Sequence, residues 1–312
     1  MSGNSVGHVA AFCDENQIFF SREELLSAHC TFKIGGAAAL FCMPDTVKQC
    51  GALVSECRAH GVPYFILGKG SNVLFADEGY EGVVISTLRL CGFTLGGGTL
   101  TAQAGAALGD ICKAAAENGM SGLEFAYGIP GTVGGAVYMN AGAYGGEIKD
   151  VLLSASYLDA QGGIQTVSAE KLSLSYRHSA LQEDQGILLE AVFALKKDTP
   201  EKIWAAMHEY AARRVEKQPL DKPSAGSTFK RPEGAFAGAL IDQCGLRGYQ
   251  VGGAAVSEKH CGFVVNIGGA TCKDVLRLTD EVSKIVKQKT GYLLEKEVRV
   301  VPARPQAPGN EI

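Results

Sequence analysis

The stretch GIPGTVGGAVYMNAGAYGG runs from Gly128 to Gly146. It contains seven glycines, one proline and no charged side chain. Because glycine has no Cβ, backbone N–H groups in such a stretch can come close to a large flat or phosphorylated ligand. A tightly packed crossing of the core would need the same absence of side chains. The stretch therefore predicts a ligand cradle, with core packing as the alternative.

A shorter glycine loop, GKGSN, covers Gly68 to Asn72 and follows an apolar run typical of a buried strand. It has neither Walker A nor GxGxxG spacing. Its backbone amides, with the side chains of Ser71 and Asn72, would suit an anion. For five residues taken alone, a bare turn between strands is the favoured interpretation.

Composition excludes several classes of protein. The net charge of −4 argues against a general nucleic-acid binder, and no apolar run is long enough for a membrane span. Residues 1–16 lack the features of a signal peptide, and we expect a loosely ordered tail over residues 1–20. Ten cysteines without a CxxC pair predict buried reduced thiols and a cytoplasmic protein. The six histidines lack ligand spacing, so no metal site is predicted.

Hydrophobic periodicity predicts an α+β chain of about three parts. A breaker at residues 218–227 is the candidate domain junction. Thr199 and Thr271 are the expected caps of the last two long helices. Helices are predicted over 47–60, 108–118, 200–217, 237–244 and 271–289, and strands over 62–67, 82–86, 100–104, 151–159, 187–195, 263–266 and 297–301.

Three further segments carry side chains suited to chemistry. Arg177, in YRHS, offers a planar fork for a carboxylate, although a surface arginine is the favoured interpretation of that segment alone. Ser227 follows a glycine and precedes two cations, and a linker is the alternative there. No GxSxG elbow accompanies it, so a hydrolase nucleophile is not predicted. Glu297 and Arg299 share one face of the last strand, which periodicity alone assigns to a solvated edge.

Seven segments, in this order, make the chain resemble the UDP-N-acetylenolpyruvoylglucosamine reductase family. No single one is decisive, but the resemblance covers about residues 25–302. The segments are AHCTFKIGG (28–36), LGKGSN (67–72), GIPGTVGGAVYMNAGAYG (128–145), SYRHS (175–179), AGSTFKRP (225–232), GGAAVSEKHCGFVVN (252–266) and LEKEVRV (294–300).

The resemblance implies an FAD-binding fold of the vanillyl-alcohol-oxidase (PCMH) type. Two α/β subdomains are expected at residues 21–92 and 93–218, followed by a smaller α/β substrate-binding domain at 219–312. The absence of a tyrosine-bearing insertion between Arg177 and Ser227 indicates the shorter subtype. Lys69 stands where the family often has glycine, which leaves the conformation of that loop open. Non-covalent FAD is expected at Gly68, Lys69, Gly70, Ser71, Asn72, Ile129, Pro130, Gly131, Thr132, Gly134, Gly135, Gly142, Ala143 and Arg299.

The same resemblance implies an activity and its residues. NADPH would reduce FAD, and the flavin N5 would pass hydride to C3 of UDP-N-acetylglucosamine enolpyruvate. Arg177 would polarise the substrate carboxylate, Glu297 would stabilise the developing anion, and Ser227 would give the proton to C2, forming UDP-N-acetylmuramate for peptidoglycan synthesis. A monomer without nucleic-acid or membrane partners is expected. Substrate contacts are expected from Tyr176, Lys230, Arg231 and His260.

Two alternatives remain open from the sequence. A flavin-dependent alcohol or lactone oxidase of the same fold would leave the YRHS, AGSTFK and EKEVR segments unexplained. A nucleotide-binding regulatory module could keep the flavin fold without catalysis. Replacement of Ser227 distinguishes that module from the reductase, because only the reductase would lose reoxidation by substrate.

Overall fold

The computed structural model describes residues 3–304, and over these residues it contains seven α-helices. All five predicted helices are confirmed to within one or two residues. The hydroxyl of Thr46 caps α2, and Thr271 and Asp274 form the predicted capping box of α7. The helices are α1 (Gly3–Glu15), α2 (Val47–Ala59), α3 (Leu108–Glu117), α4 (Val133–Tyr138), α5 (Pro200–Lys217), α6 (Ala237–Gln243) and α7 (Cys272–Thr290).

The N-terminal prediction was wrong. Residues 3–15 form α1 instead of a loosely ordered tail, and residues 1–2 lie outside the described part. Val9 and Cys13 are fully buried against the first sheet and α2. An amphipathic segment of this length is ordered by burying its apolar face, a contact that composition alone did not reveal.

Each predicted strand matches an observed one, although the last is shorter and begins at Arg299. The strands are β1 (Phe19–Leu25), β2 (Ala37–Met43), β3 (Tyr64–Leu67), β4 (Val73–Phe75), β5 (Tyr80–Ser86), β6 (Phe93–Gly96), β7 (Thr99–Gln103), β8 (Met120–Ser121), β9 (Gly142–Ala143), β10 (Gly146–Glu147), β11 (Leu152–Leu158), β12 (Ile164–Ser168), β13 (Ile187–Ala194), β14 (Lys196–Lys197), β15 (Ser224–Ser227), β16 (Gln250–Val251), β17 (Ala254–Val256), β18 (Phe263–Asn266) and β19 (Arg299–Val301).

Three larger sheets organise these strands. The first has the order β1-β2-β5-β3, with β2, β5 and β3 parallel and α2 connecting β2 to β3. The second is antiparallel, with the order β12-β11-β13-β7-β6. The third, also antiparallel, has the order β15-β18-β17-β16. Helix α7 packs on β16 and β17 of this third sheet.

One hydrophobic core joins the first and third sheets. It contains Phe32, Phe65 and Phe75 from the N-terminal part and Val264 and Val282 from the C-terminal part. The short parallel pair β4–β19 strengthens this connection and brings the chain after the GKGSN loop beside residues 299–301. The second sheet has a separate core with α3, α4 and part of α5. The predicted domain boundaries stay a prediction, and residues 305–312 of the last domain lie outside the described part.

In the described part of the chain, no helix combines the length and apolar character needed to cross a membrane.

Candidate active site

A cavity of about 460 Å³ lies where the two hydrophobic cores and the third sheet meet. Its wall includes the GKGSN loop, most of the stretch from Ile129 to Tyr144, the end of α5, and residues 225–227 of β15. All fourteen residues that were expected to hold the cofactor line this cavity. The fold therefore brings together two glycine segments separated by about sixty residues in the chain.

The conformation of the first glycine loop depends on Gly70 and not on Lys69. Gly70 has φ +61°, and a Cβ there would lie 2.7 Å from Cα of Cys30. Lys69 has no positive φ, and its side chain is exposed. A lysine at position 69 therefore costs no backbone strain, which answers the question that the sequence left open.

Two adjacent glycines of the long stretch differ in what surrounds them. Thr132 caps α4, so both glycines lie in its first turn. A Cβ on Gly134 would lie 3.0 Å from the carbonyl oxygen of Ala104, whereas one on Gly135 would meet only the Thr132 hydroxyl at 3.9 Å. Both line the cavity. Core packing therefore explains Gly134, and open space toward the cavity explains Gly135.

A second cavity, of about 610 Å³, adjoins the first. Arg177, Ser227 and Glu297 line both cavities, as do His260 and Tyr144. The three residues expected to be catalytic thus come together at the boundary between the two spaces, although they lie on different parts of the chain. A group held in one cavity can meet a group held in the other only at this boundary.

Arg177 is presented by a tight turn. Backbone hydrogen bonds in both directions join Ser175 and His178, and Arg177 has φ +56°, which is unusual for a residue with a side chain. The side chain of Asn140, which is 1% exposed, donates to the carbonyl of Ser175 at 2.9 Å. The side chain of Gln182 donates to the carbonyl of Arg177 at 3.1 Å. The surrounding structure thus holds the turn in place.

Glu297 is not on a solvated edge, as periodicity suggested. Its side chain is 9% exposed, and Arg177 Nε donates to its carboxylate at 2.5 Å. Burial raises the pKa of Glu297 above its ordinary value, while the neighbouring Arg177 lowers it and only partly offsets the effect of burial. Asn72 donates its side-chain N–H to the carbonyl of Glu297 at 3.2 Å, so the first glycine loop also positions this residue.

The predicted substrate residues separate into two groups. Tyr176, Arg231 and His260 line the second cavity, and the Tyr176 hydroxyl accepts a hydrogen bond from the backbone N–H of Arg231 at 3.1 Å. Lys230 lines neither cavity, and its Nζ lies 3.4 Å from the carboxylate of Glu295. A substrate contact from Lys230 stays a prediction.

Comparison with known proteins agrees with this geometry. Residues 218–301 match the family model described as UDP-N-acetylenolpyruvoylglucosamine reductase, C-terminal domain, and residues 38–168 match the model of an FAD binding domain. A protein named UDP-N-acetylenolpyruvoylglucosamine reductase from Lachnoclostridium phytofermentans is 50% identical over 283 residues, covering 89% of this chain and 91% of the relative. One from Clostridium perfringens strain 13 is 46% identical over 288 residues, covering 91% and 95%.

The chain belongs to the UDP-N-acetylenolpyruvoylglucosamine reductase family. The crystal structure of the reductase from Thermus caldophilus superimposes with a TM-score of 0.78 at 36% identity, covering 91% of this chain and 99% of that one. The expected fold is thereby confirmed: an FAD-binding fold followed by the reductase C-terminal domain. The protein is an FAD-dependent oxidoreductase that reduces the enolpyruvyl ether of UDP-N-acetylglucosamine in peptidoglycan synthesis, and NADPH is the reductant of this family.

The residues of the first cavity fit FAD. The glycine segments offer backbone amides, and Gly135 leaves space that a side chain would fill. Positive charge dominates the wall, which suits a pyrophosphate. Glu297 is the one acidic side chain among the lining residues of the described chain, against six cations: Lys69, Arg177, Arg213, Arg214, Lys217 and Arg299.

Sequence reasoning missed the cations on α5. Tyr210, Arg213, Arg214 and Lys217 recur at the spacing of one helix face, and the last three line the cavity. Burial lowers the pKa of Arg214 from its ordinary value. The signal was available, because three cations close the helix immediately before the predicted junction at residue 218.

Tyr144 was also missed. It lies in the long stretch with φ +53°, and its ring stacks on that of Tyr210 at a centroid distance of 4.7 Å. It lines both cavities. No charge or periodicity distinguishes this tyrosine in the sequence.

Proposed function

We propose that this chain catalyses the NADPH-dependent reduction of UDP-N-acetylglucosamine enolpyruvate, with Arg177, Glu297 and Ser227 as its catalytic residues. The observation that supports this proposal is the position of all three at the boundary between the two cavities. The first cavity holds the cofactor and the second takes the nucleotide sugar. When bound, FAD supplies the hydride that is added to C3 of the enolpyruvyl group.

Arg177 binds the carboxylate of the enolpyruvyl group. Addition of hydride to C3 moves electron density through C2 into this carboxylate, so negative charge develops there. The guanidinium stabilises that charge, and its planar fork can donate two hydrogen bonds. Because Nε already donates to Glu297, the terminal nitrogens remain to face the substrate.

Glu297 acts in its protonated form. A carboxylate at this position would repel the developing anion, whereas a carboxyl group can donate a hydrogen bond to it. Burial raises the pKa of Glu297 and so favours the form that the reaction needs. The short contact with Arg177 holds the group in place in either form.

Ser227 delivers the proton to C2. A hydroxyl is ordinarily a weak acid, but C2 becomes strongly basic once hydride reaches C3, so a well-placed hydroxyl suffices. Ser227 is half-buried and lines both cavities, which supports a role for its hydroxyl where the cofactor and the substrate would meet.

The substrate diphosphate is bound through Arg231 and His260. Burial lowers the pKa of His260, so the ring is neutral near pH 7. Its Nδ1 accepts the backbone N–H of Gly262 at 3.1 Å, which leaves Nε2 as a hydrogen-bond donor. His260 therefore contributes a directed hydrogen bond and Arg231 contributes the charge.

We also propose that the enzyme is a cytoplasmic monomer. All ten cysteines are free thiols and nine of them are buried, which suits a reducing compartment. Sedimentation equilibrium at micromolar concentration checks the monomer, since a dimer would double the measured mass.

The test is an anaerobic comparison of wild type with Ser227→Ala. The purified protein should show flavin absorbance that NADPH bleaches and that the enolpyruvyl substrate restores. In Ser227→Ala we expect reduction by NADPH at the wild-type rate and reoxidation by substrate slower by about 10²- to 10⁴-fold. Ser224→Ala is the matched control, because it removes a hydroxyl from the same strand but lines neither cavity.

Unchanged reoxidation in Ser227→Ala would remove Ser227 from the mechanism. A wild-type protein that bleaches with NADPH but ignores the substrate would contradict the reductase. A protein that also oxidises simple alcohols would favour the oxidase alternative.

A further inference from the structure

The segment AHCTFKIGG, residues 28–36, has no role in the mechanism above. None of its residues lines either cavity. It nevertheless lies between the glycine loop at residues 68–72 and β15, the strand that ends at Ser227. Its contacts with both indicate what it does.

Thr31 joins the glycine loop to β15. Its backbone N–H donates to the carbonyl of Gly70 at 3.0 Å, and its hydroxyl donates to the carbonyl of Ser224 at 2.6 Å. The hydroxyl also lies 3.4 Å from the Gly70 carbonyl, but it has a single proton, and the shorter contact takes it. The backbone N–H of Thr31 therefore binds the cofactor loop, and its side-chain hydroxyl binds β15.

The strand that carries Ser227 is irregular. Ser224 pairs with Val265 and Ser227 with Phe263, and the register shifts between these two pairs. Gly226, within the shift, has φ +76°, and no heavy atom would approach a Cβ there within 4 Å. Because the ladder with β18 is interrupted, it does not by itself hold Ser227 in place.

The far side of this bulge is held firmly. Thr228 donates its N–H to the carbonyl of Gly262 at 2.9 Å, and its hydroxyl accepts from Val264 N at 2.9 Å. Its carbonyl accepts the N–H of Glu297 at 2.8 Å. At the start of the bulge, the carbonyl of Ser224 accepts a hydrogen bond from the Thr31 hydroxyl. Ser227 thus lies between two fixed points, one of which comes from the N-terminal part of the chain.

We propose that Thr31 is a positioning residue for the proton donor. Its hydroxyl fixes the start of the bulge, and the N–H of the same residue fixes Gly70 in the cofactor loop. One residue outside both cavities therefore joins the start of the bulge to the cofactor loop, while the far side of the bulge is joined to the same loop through Glu297 and Asn72. The inference rests on the proposed function, since it assigns Thr31 to the proton-transfer step.

The experiment compares Thr31→Val, Thr31→Ser and Thr46→Val in the flavin-loaded enzyme. Valine has nearly the size of threonine but no hydroxyl, and serine restores the hydroxyl. Thr46→Val removes a different threonine hydroxyl, the cap of α2, on the side of the first sheet away from β15. The measurements are hydrogen–deuterium exchange of a peptide spanning residues 224–229 and the two anaerobic half-reactions.

In Thr31→Val we expect exchange at residues 224–229 to rise about tenfold and reoxidation by substrate to slow about tenfold. Flavin content and the rate of reduction by NADPH should stay within twofold of wild type, because the backbone contact with Gly70 is kept. Thr31→Ser and Thr46→Val should both show wild-type exchange at residues 224–229 and wild-type reoxidation by substrate.

Three results would overturn the proposal. The first is Thr31→Val with wild-type exchange and reoxidation. The second is a Thr31→Val protein that does not fold or does not retain flavin, since the hydroxyl would then serve the whole domain or the cofactor. The third is equal slowing of both half-reactions. If the wild type itself fails to react with the enolpyruvyl substrate, the proposed function fails, while the exchange measurement still reports whether Thr31 holds the bulge.

Discussion

The two adjacent glycines at the start of α4 allow the two explanations of the long glycine stretch to be separated in one experiment. The perturbation is a single methyl group, placed by Gly134→Ala or by Gly135→Ala. At position 134 the new Cβ meets the Ala104 carbonyl at 3.0 Å and the Ala104 Cβ at 3.2 Å. At position 135 it meets no protein atom closer than 3.9 Å and faces the cofactor cavity.

The expected magnitudes follow from these contacts. In a helix, alanine in place of glycine raises the free energy of unfolding by about 0.5–1 kcal/mol. At position 134 the added methyl group also crowds Ala104, and overpacking of this kind costs about 1–3 kcal/mol of stability. Gly134→Ala should therefore lower the free energy of unfolding by up to about 2.5 kcal/mol and change FAD affinity little. Gly135→Ala should raise the stability of the apoprotein by about 0.5 kcal/mol and weaken FAD binding about tenfold, or about 1.4 kcal/mol.

The assay needs the apoprotein. Flavin is removed by denaturant and dialysis, and thermal unfolding is recorded before FAD is added back. Binding is then followed by the quenching of flavin fluorescence. If Gly135→Ala binds FAD as tightly as wild type while Gly134→Ala loses it, the assignment of Gly135 to the cofactor and Gly134 to packing is refuted.

Two further predictions concern charge and the N-terminus. Because burial raises the pKa of Glu297, the folded protein keeps its proton where the unfolded chain has lost it, so stability and substrate-dependent reoxidation should both fall as pH rises through that interval. In Glu297→Ala, which removes the hydrogen-bond donor, reoxidation should be slower by about 10²- to 10³-fold and should lose this pH dependence; a steep pH profile identical to wild type would exclude Glu297 as its source. Val9→Asp should cost about 3 kcal/mol of stability because Val9 is fully buried, whereas Ala11→Asp at an exposed position of the same helix should cost little. Equal melting temperatures for these two variants would support the loosely ordered tail after all.

Local patterns in the sequence were sufficient for most of the secondary structure. Helix α7 shows why: Thr271 and Asp274 cap it, an apolar stripe marks its buried face, and Gly291 ends it in a left-handed conformation. All three signals are local, so they can be read without knowing what the helix touches. Helix α1 depends on burial against α2 and β2, contacts that its own sequence does not reveal.

The candidate site divides in the same way. Its glycine segments and the residues Arg177, Ser227 and Glu297 could be predicted from the sequence, because their motifs occur in family order along the chain. The motifs alone thus identified the family, the cofactor and the three candidate catalytic residues. The environments of these residues could not be predicted from the sequence. Periodicity placed Glu297 on a solvated edge, whereas the fold buries its side chain beside Arg177.

Tertiary contacts alone distinguish Gly134, which packs, from Gly135, which faces the cavity. They also bring Arg213, Arg214 and Lys217 to the site and the Thr31 hydroxyl to β15. Each of these depends on contacts between residues distant in sequence, such as Thr31 with Ser224, 193 positions apart. Burial, pKa and the reach of a hydrogen bond are properties of distances in space. They are therefore set only after the hydrophobic cores have formed and brought distant segments into contact.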